Sequence, residues 1–580
     1  RPSRWLRSGV RAFLLQNCGI DVTGEADTMK KPNIVFAFAD DWGRYASVYA
    51  KHQGANSLNG LLDTPHFDRV AAEGALFLNA IVPAPSCTPC RSSILAGQYF
   101  WQTGLGAILM GAQWDESIPT FPLALEAEAD YFIGHTYKVW SPGMTMNAPM
   151  GGTRTAFNPA GYNFNQFSHW VSDHAGEFGA GEEGIEGAKS ALYEETRENV
   201  RAFLQAVPDA KPFCYWWGPT NTHRTWERGS GKALWNIDPD CVAGHLPAFL
   251  PDVHDVREDV ADYLGECQAT DVGLGILIEE LESAGELHNT LLVVSGDHGI
   301  PGMPRAKCNL YDIGCEVPLA IRWPGHVHAN RVVDDFINLM DLAPTFCEVG
   351  GIEAPPSMSA KSLLPLLRSA DSGQVEQGRN FVVMGRERHI AHARKGMLPY
   401  PQRSIRTERY IYIINFEPDR WPMGDPIGLN GDSRPTPTQD ELTHDTFATL
   451  RDMDASPTKA WLITHREELD VEPLYDLAFG KRPREELYDL QQDPDYMNNV
   501  AQDSAYAEVK ENLQQRLIAV LQQYDDPRLS EQPCRYEYEP YAGKVPQVWF
   551  EAAAAEQDTF NPTRSRKAQT DKAQTDKAKE

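Results

Sequence analysis

Apolar residues in the first 300 positions gather into short unbroken runs, and each run stops at polar or charged residues. Residues 33–39 are almost continuously apolar and end at Asp40-Asp41. Residues 131–134 lead toward Lys138, residues 213–217 toward His223, and residues 291–294 into Asp297-His298. A run of about 4–8 apolar residues without alternation reads as a strand buried on both faces, the pattern of a parallel sheet covered by helices. Between these runs, residues 189–206 and 258–284 read as helices, and residues 67–78 as a helix followed by a strand. The pattern predicts an α/β fold, an α/β/α sandwich on a large, mostly parallel sheet over residues 30–370. The polar residues follow the C-terminal ends of the strands, which is where open α/β sheets place their ligand sites.

The texture changes over residues 354–378, where Pro355-Pro356 and Ser- and Gly-rich sequence predict a boundary. Beyond it, residues 410–414 read as a strand and residues 505–524 as an amphipathic helix. A smaller C-terminal α+β domain is therefore expected over residues 375–545. Residues 546–580 are polar and repeat one short motif, Ala568 to Lys572 and again Ala573 to Lys577, as a disordered tail would. At the other end, Arg1, Arg4, Arg7 and Arg11 precede an apolar patch over residues 12–15. That patch is shorter than the roughly 7–15 residues of a secretory apolar region, and no small-residue cleavage site follows. Met29 stands just before the first strand and reads as the natural start, with residues 1–29 as an upstream segment. Without a recognisable signal peptide the expected location is cytoplasmic, or periplasmic if a leader was replaced.

Charge narrows the partners. Asp and Glu number 81 against 53 Lys and Arg, a net charge of −28. Such a field repels nucleic acid at long range, so no nucleic-acid partner is expected, although a local basic pocket for a smaller anion is compatible with it. No apolar run reaches the roughly 18 residues of a membrane span, so no membrane association is expected. Ten cysteines are scattered along the chain without the doubled CxxC spacing of a zinc site. A chain of this size needs no disulfide staples, and most of the cysteines read as buried thiols.

One stretch carries chemistry: Cys87-Thr88-Pro89-Cys90-Arg91-Ser92-Ser93-Ile94-Leu95-Ala96-Gly97. Pro89 suits the first turn of a helix, Cys87 then lies at its positive end, and Arg91 follows one turn later. Alone, this would equally describe a structural cysteine before a helix. The stretch closely resembles the C-x-P-x-R signature of the type I sulfatases of the alkaline phosphatase superfamily, including the downstream Leu-x-Gly, with Ala96 where threonine is common. The resemblance implies that a formylglycine-generating maturation enzyme oxidises Cys87 to formylglycine. Asp40, Asp41 and Asp297 together offer an oxygen-rich cage suited to a hard cation such as Ca²⁺. The family pattern adds His298 and the modified Cys87 to that metal set, although His298 is a soft ligand for calcium.

The same resemblance assigns the cations. Lys138 corresponds to the lysine of the family's Gly-Lys-x-His segment, with Trp140 in place of the histidine and His135 as its substitute. His223 resembles the sulfate-binding histidine, and Lys307, ten residues after Asp297, resembles the second active-site lysine. Taken singly, each reads equally as a surface charge or a loop histidine. Arg91 and Lys138 are expected to orient the nucleophile, Lys307 and the metal to stabilise growing charge, and His223 to act as general acid. Arg386, Arg388, His389 and Arg403 form basic clusters in an acidic protein. Their region resembles heparan N-sulfatase and its bacterial relatives, and arginine suits bidentate binding of sugar sulfates and carboxylates. The expected activity is hydrolysis of a sulfate ester or sulfamate on a sulfated sugar such as N-sulfoglucosamine. The alternatives are a phosphodiesterase or phosphonate monoester hydrolase of the same superfamily, and a catalytically silent protein that binds sulfated sugars. The joint presence of Cys87, Arg91, Lys138, His223 and Lys307 argues against the silent form.

Overall fold

The computed structural model describes residues 30–54, 56–143 and 149–537. The upstream segment and the polar tail expected at the two ends lie outside them. Strands β1 (Asn33–Ala39), β2 (Ala75–Ile81), β3 (Phe132–Tyr137), β4 (Phe213–Gly218), β5 (Thr290–Gly296), β6 (Leu319–Arg322) and β7 (Arg331–Asn338) form the large sheet, in the order β3-β4-β1-β5-β6-β2-β7. Strands β3, β4, β1 and β5 run parallel, with Phe36 of β1 in register with Trp216 and Val293. Strand β6 alone is antiparallel, between β5 and β2, and β2 pairs in parallel with β7.

The unbroken apolar runs are explained by what covers each face. In β1, successive side chains point to opposite sides. Ile34, Phe36 and Phe38 join one apolar cluster with Ile94 and Leu95 of the Cys87–Ala96 helix and with Leu342 and Phe346. Val35, Ala37 and Ala39 join another with Leu192 and Val200 of the Glu182–Ala206 helix and Leu264, Leu274 and Leu277 of the His254–Ser283 helix. Each large apolar side chain so buried contributes roughly 1.5–3 kcal/mol, and an α/β/α sandwich results.

Strands β8 (Phe381–Arg386), β9 (Gln402–Thr407), β10 (Tyr410–Asn415) and β11 (Glu485–Asp489) form a smaller antiparallel sheet, ordered β11-β10-β9-β8. The helix Ala507–Gln523 buries Leu513, Leu517 and Leu521 with it. The cluster that holds Phe36 also holds Val382, Ile405, Ile413 and Leu517. The expected boundary over residues 354–378 thus marks a change of sheet, while one apolar interior runs across it. Among the described cysteines, all free thiols, only Cys241 is exposed. No described helix is long and apolar enough to cross a membrane.

Candidate active site

Because β3, β4, β1 and β5 are parallel, their C-terminal ends share one edge of the sheet. Lys138 follows β3, His223 lies in the loop after β4, Asp40 and Asp41 follow β1, and Asp297 and His298 follow β5. Asp41 takes a left-handed backbone conformation with φ 54°, which short polar side chains tolerate better than most. In that turn the Asp41 N–H donates to Asp297 Oδ1 at 2.7 Å. The Tyr263 hydroxyl, from the His254–Ser283 helix, donates to the Asp41 carbonyl and accepts the Gly43 N–H, both at 2.9 Å. The hydroxyl of Thr222 donates to the Asp40 carbonyl. A side chain at Gly296 would collide with the Trp42 carbonyl, so glycine is needed where β1 and β5 end side by side.

Facing this edge, Cys87 opens its helix and is buried. Arg91 is buried one turn on. It donates from Nε to Asp297 Oδ2 at 2.7 Å, from Nη2 to Asp40 Oδ1 at 3.1 Å and from Nη1 to the Val139 carbonyl at 3.0 Å. Its guanidinium lies 4.9 Å from the Phe38 ring centre. Lys138 donates to both Asp40 oxygens, at 2.6 and 2.7 Å, and Lys307 to Asp41 Oδ2 at 2.8 Å. His298 Nε2 is 3.1 Å from Asp41 Oδ1 and 3.4 Å from Cys87 Sγ, and Cys87 Sγ is 3.9 Å from Asp41 Oδ1. His223 Nδ1 lies 2.6 Å from the Arg224 carbonyl and its Nε2 lies 3.9 Å from Asp41 Oδ2. A carbonyl can only accept, so Nδ1 carries a proton and Nε2 is the nitrogen turned toward Asp41.

These charges set one another. Burial would raise the Asp40 carboxyl, but Lys138 and Arg91 outweigh it and hold it well below the usual carboxylate range. At Asp297 burial prevails over Arg91 and the carboxyl is raised. Burial, reinforced by Asp40, pushes the Cys87 thiol well up, so a thiol here stays protonated and is a weak nucleophile. Ligand atoms of Asp40, Asp41, Cys87 and His223 lie within 4.8 Å of one another, as do those of Cys87, Asp297 and His298. Two oxygens bound to one calcium at about 2.4 Å stand at most about 4.8 Å apart. Within each of these two sets, which share Cys87, the ligand atoms are close enough to hold one hard cation.

A cavity of about 730 Å³ opens on this cluster. Asp40, Cys87, Lys138, His223, Lys307 and His389 line it, with His444, Asp445, Phe447 and Asp454 contributed by a later segment. The structure thus brings Asp40, Asp41, Cys87, Arg91, Lys138, His223, Asp297, His298 and Lys307 together. His389 joins them, its Nδ1 2.8 Å from Ser86 Oγ, and burial drives its imidazole down to about 3.

The expected substrate arginines do not join them. Arg386 donates to Asp452 Oδ2 and the Cys308 carbonyl, both at 2.6 Å. Arg388 donates to the Tyr536 carbonyl at 2.5 Å. Arg403 pairs with Asp526 at 2.5 Å and Glu387 at 2.9 Å. All three are buried and none lines the cavity; Arg386 and Arg403 are neutralised by carboxylates distant in the chain. His135 is no substitute for the histidine replaced by Trp140. It sits within β3 bonded to Thr155 at 3.2 Å, and burial lowers its imidazole to about 4. Trp140 is buried edge-on against Trp114, with ring centres 5.3 Å apart. Several lining residues were not anticipated from the sequence, among them Arg224, His444, Asp445, Phe447 and Asp454. Arg224 directly follows His223, whereas Asp454 lies in no motif and only long-range contact reveals it.

A sheet edge that gathers carboxylates, cations and a helix-terminal cysteine under one cavity suits a tetrahedral anion bound beside a cation. Comparison with known proteins is more specific. Residues 32–352 match the sulfatase family, and residues 305–428 match the C-terminal region of N-sulphoglucosamine sulphohydrolase. The chain belongs to the sulfatase family. It is 25% identical to human N-sulphoglucosamine sulphohydrolase over 528 residues, covering 85% of this chain and 91% of that protein. It is 26% identical over 435 residues to an ulvan-active sulfatase of Formosa agariphila, covering 70% and 78%. Among solved structures, the phosphonate monoester hydrolase of Agrobacterium radiobacter superposes with a TM-score of 0.54 and 18% identity, covering 85% of this chain and 96% of that one. Likeness at that identity speaks for the shared fold alone.

Proposed function

We propose that the protein hydrolyses a sulfate ester or sulfamate on a sulfated sugar, N-sulfoglucosamine first among them, through a formylglycine made from Cys87 beside one Ca²⁺. One observation carries this reading. Asp41 and His298 stand within 3.9 Å of Cys87 Sγ, at the foot of a cavity lined by Lys138, His223 and Lys307. The sugar is supported by the match of residues 305–428 to the C-terminal region of N-sulphoglucosamine sulphohydrolase.

When present, the cation and the hydrated aldehyde would supply a polarised oxygen nucleophile for displacement at sulfur. Arg91 is a positioning residue. Its three donors fix Asp40, Asp297 and the Val139 carbonyl without reaching the cavity. Lys138 and Lys307 each pair with a different aspartate, and both present their ammonium groups to the cavity. There they neutralise charge that grows on the sulfate oxygens. With Nδ1 committed to the Arg224 carbonyl, the His223 imidazolium gives its Nε2 proton to the departing oxygen or nitrogen.

Sulfate release should be measured side by side from N-sulfoglucosamine, a sugar O-sulfate and an aryl sulfate, with an aryl phosphonate as the competing substrate. The expected result is release from the sulfated sugars, with the phosphonate slower by at least about 100-fold, and a Cys87 peptide with the mass of the aldehyde. A faster phosphonate, or an active protein whose Cys87 remains a thiol, would sink the reading.

A further inference from the structure

Besides Asp40, the cavity is lined by two carboxylates, Asp445 and Asp454, and Asp454 stands beside one of its cations, Lys307. Its Oδ2 is 3.4 Å from Lys307 Nζ, whose nearer partner is Asp41 at 2.8 Å. Burial would raise the Asp454 carboxyl, but Lys307, His223, His389 and Arg224 hold it well below the usual range. Asp454 is therefore a fixed negative charge in a cavity that receives an anion, and its Oδ2 makes no hydrogen bond within the protein.

The segment around it is pinned on both sides. Asp452 accepts the Ile390 N–H at 2.9 Å, Arg386 at 2.6 Å and Arg394 at 2.7 Å. The Met453 carbonyl accepts Lys459 Nζ at 2.8 Å, and Ser456 Oγ donates to the Gly302 carbonyl at 2.7 Å. The buried arginines and lysine of this region thus hold Asp454 in place before any substrate arrives. A preorganised carboxylate opposes a nearby anion and rewards a hydrogen-bond donor. Such paired attraction and repulsion is how a site discriminates between related ligands.

We propose that Asp454 is a specificity-determining residue: it accepts a hydrogen bond from a hydroxyl or amine of the sugar beside the scissile group and rejects substrates that carry a second sulfate or carboxylate there. This rests on the sulfated-sugar reading above. The test uses the full-length, matured enzyme and the variants Asp454→Asn and Asp454→Glu. The substrates are a matched pair of glucosamine sulfates, with and without a second sulfate on the neighbouring position, and kcat and KM are read separately.

The wild type should prefer the singly sulfated sugar by about tenfold in kcat/KM, from the repulsion of one fixed charge. Asp454→Glu keeps the charge and should keep the preference. Asp454→Asn should bring the ratio close to one, chiefly by lowering the KM of the doubly sulfated sugar. An unchanged ratio in Asp454→Asn, or a wild type that prefers the doubly sulfated sugar, overturns this proposal and leaves the sulfated-sugar reading standing. Hydrolysis of an aryl sulfate but of neither sugar overturns both.

Discussion

At the edge of the large sheet, Arg91 bridges Asp40 and Asp297; in the smaller sheet, Arg403 bridges Glu387 and Asp526. Both guanidiniums are fully buried, and each lies over an aromatic ring, that of Phe38 or of Phe100. The difference lies in what remains of the carboxylates. Glu387 is also taken by Arg528 at 2.5 Å, and Asp526 accepts the Arg528 N–H at 2.8 Å, so the set closes on itself. Asp40 keeps a face on the cavity and shares it with Lys138. Identical ion pairs therefore serve shape where their oxygens face protein, and chemistry where their oxygens face an opening.

Four substitutions probe that contrast. Cys87→Ala at the open set should reduce sulfate release by at least about 10⁴-fold, as loss of a nucleophile does. Its melting temperature should stay within about 2 °C of the wild type; retained turnover would dissolve the contrast. His223→Gln should lower kcat on a sulfated sugar by about 10²–10⁴-fold. The loss should be much smaller on nitrophenyl sulfate, whose leaving group needs no proton, and equal losses would deny His223 the role of acid. Arg403→Met at the closed set should cost about 3–5 kcal/mol in denaturant titration, because Glu387 and Asp526 lose their partner. The KM of the folded enzyme should stay put, whereas a raised KM would return Arg403 to the substrate.

The smallest effect is at Asp452. Burial would raise its carboxyl, but Arg394 and Arg386 bring it to about 2. A carboxyl lowered on folding adds stability above its ordinary value near pH 4 and loses it as the pH falls toward 2. The amount is about 2 kcal/mol. The stability of Asp452→Asn should accordingly change less between pH 4 and pH 2 than that of the wild type. Parallel acid limbs would show that the pair is not formed in solution.

Most of the sheet edge could be read from the sequence because the apolar runs end where the chemistry begins. Residues 33–39 and 291–294 announced β1 and β5, and the acidic residues after them fell on one edge because parallel strands leave no other place for them. Cys87, Pro89 and Arg91 carry their spacing within one turn of a helix. Arg386 and Arg403 lie away from the cavity for a physical reason: a sequence displays a charge but not the carboxylate that neutralises it 66 or 123 positions away. Asp454 was invisible for the converse reason, since nothing near it in the chain marks it and its partner Lys307 lies far earlier in the sequence, in the loop after β5.

The interior that joins Phe36 to Ile405 and Leu517 also limits how this protein can diversify. Neither sheet is an exchangeable module, because a chain severed between them would expose the faces each uses to cover the other. Leu450 and Met453, which flank Asp452 and Asp454, belong instead to a separate small apolar cluster. Apolar packing in that segment can therefore change while the common interior stands still, provided the ion pairs that anchor Asp452 are kept.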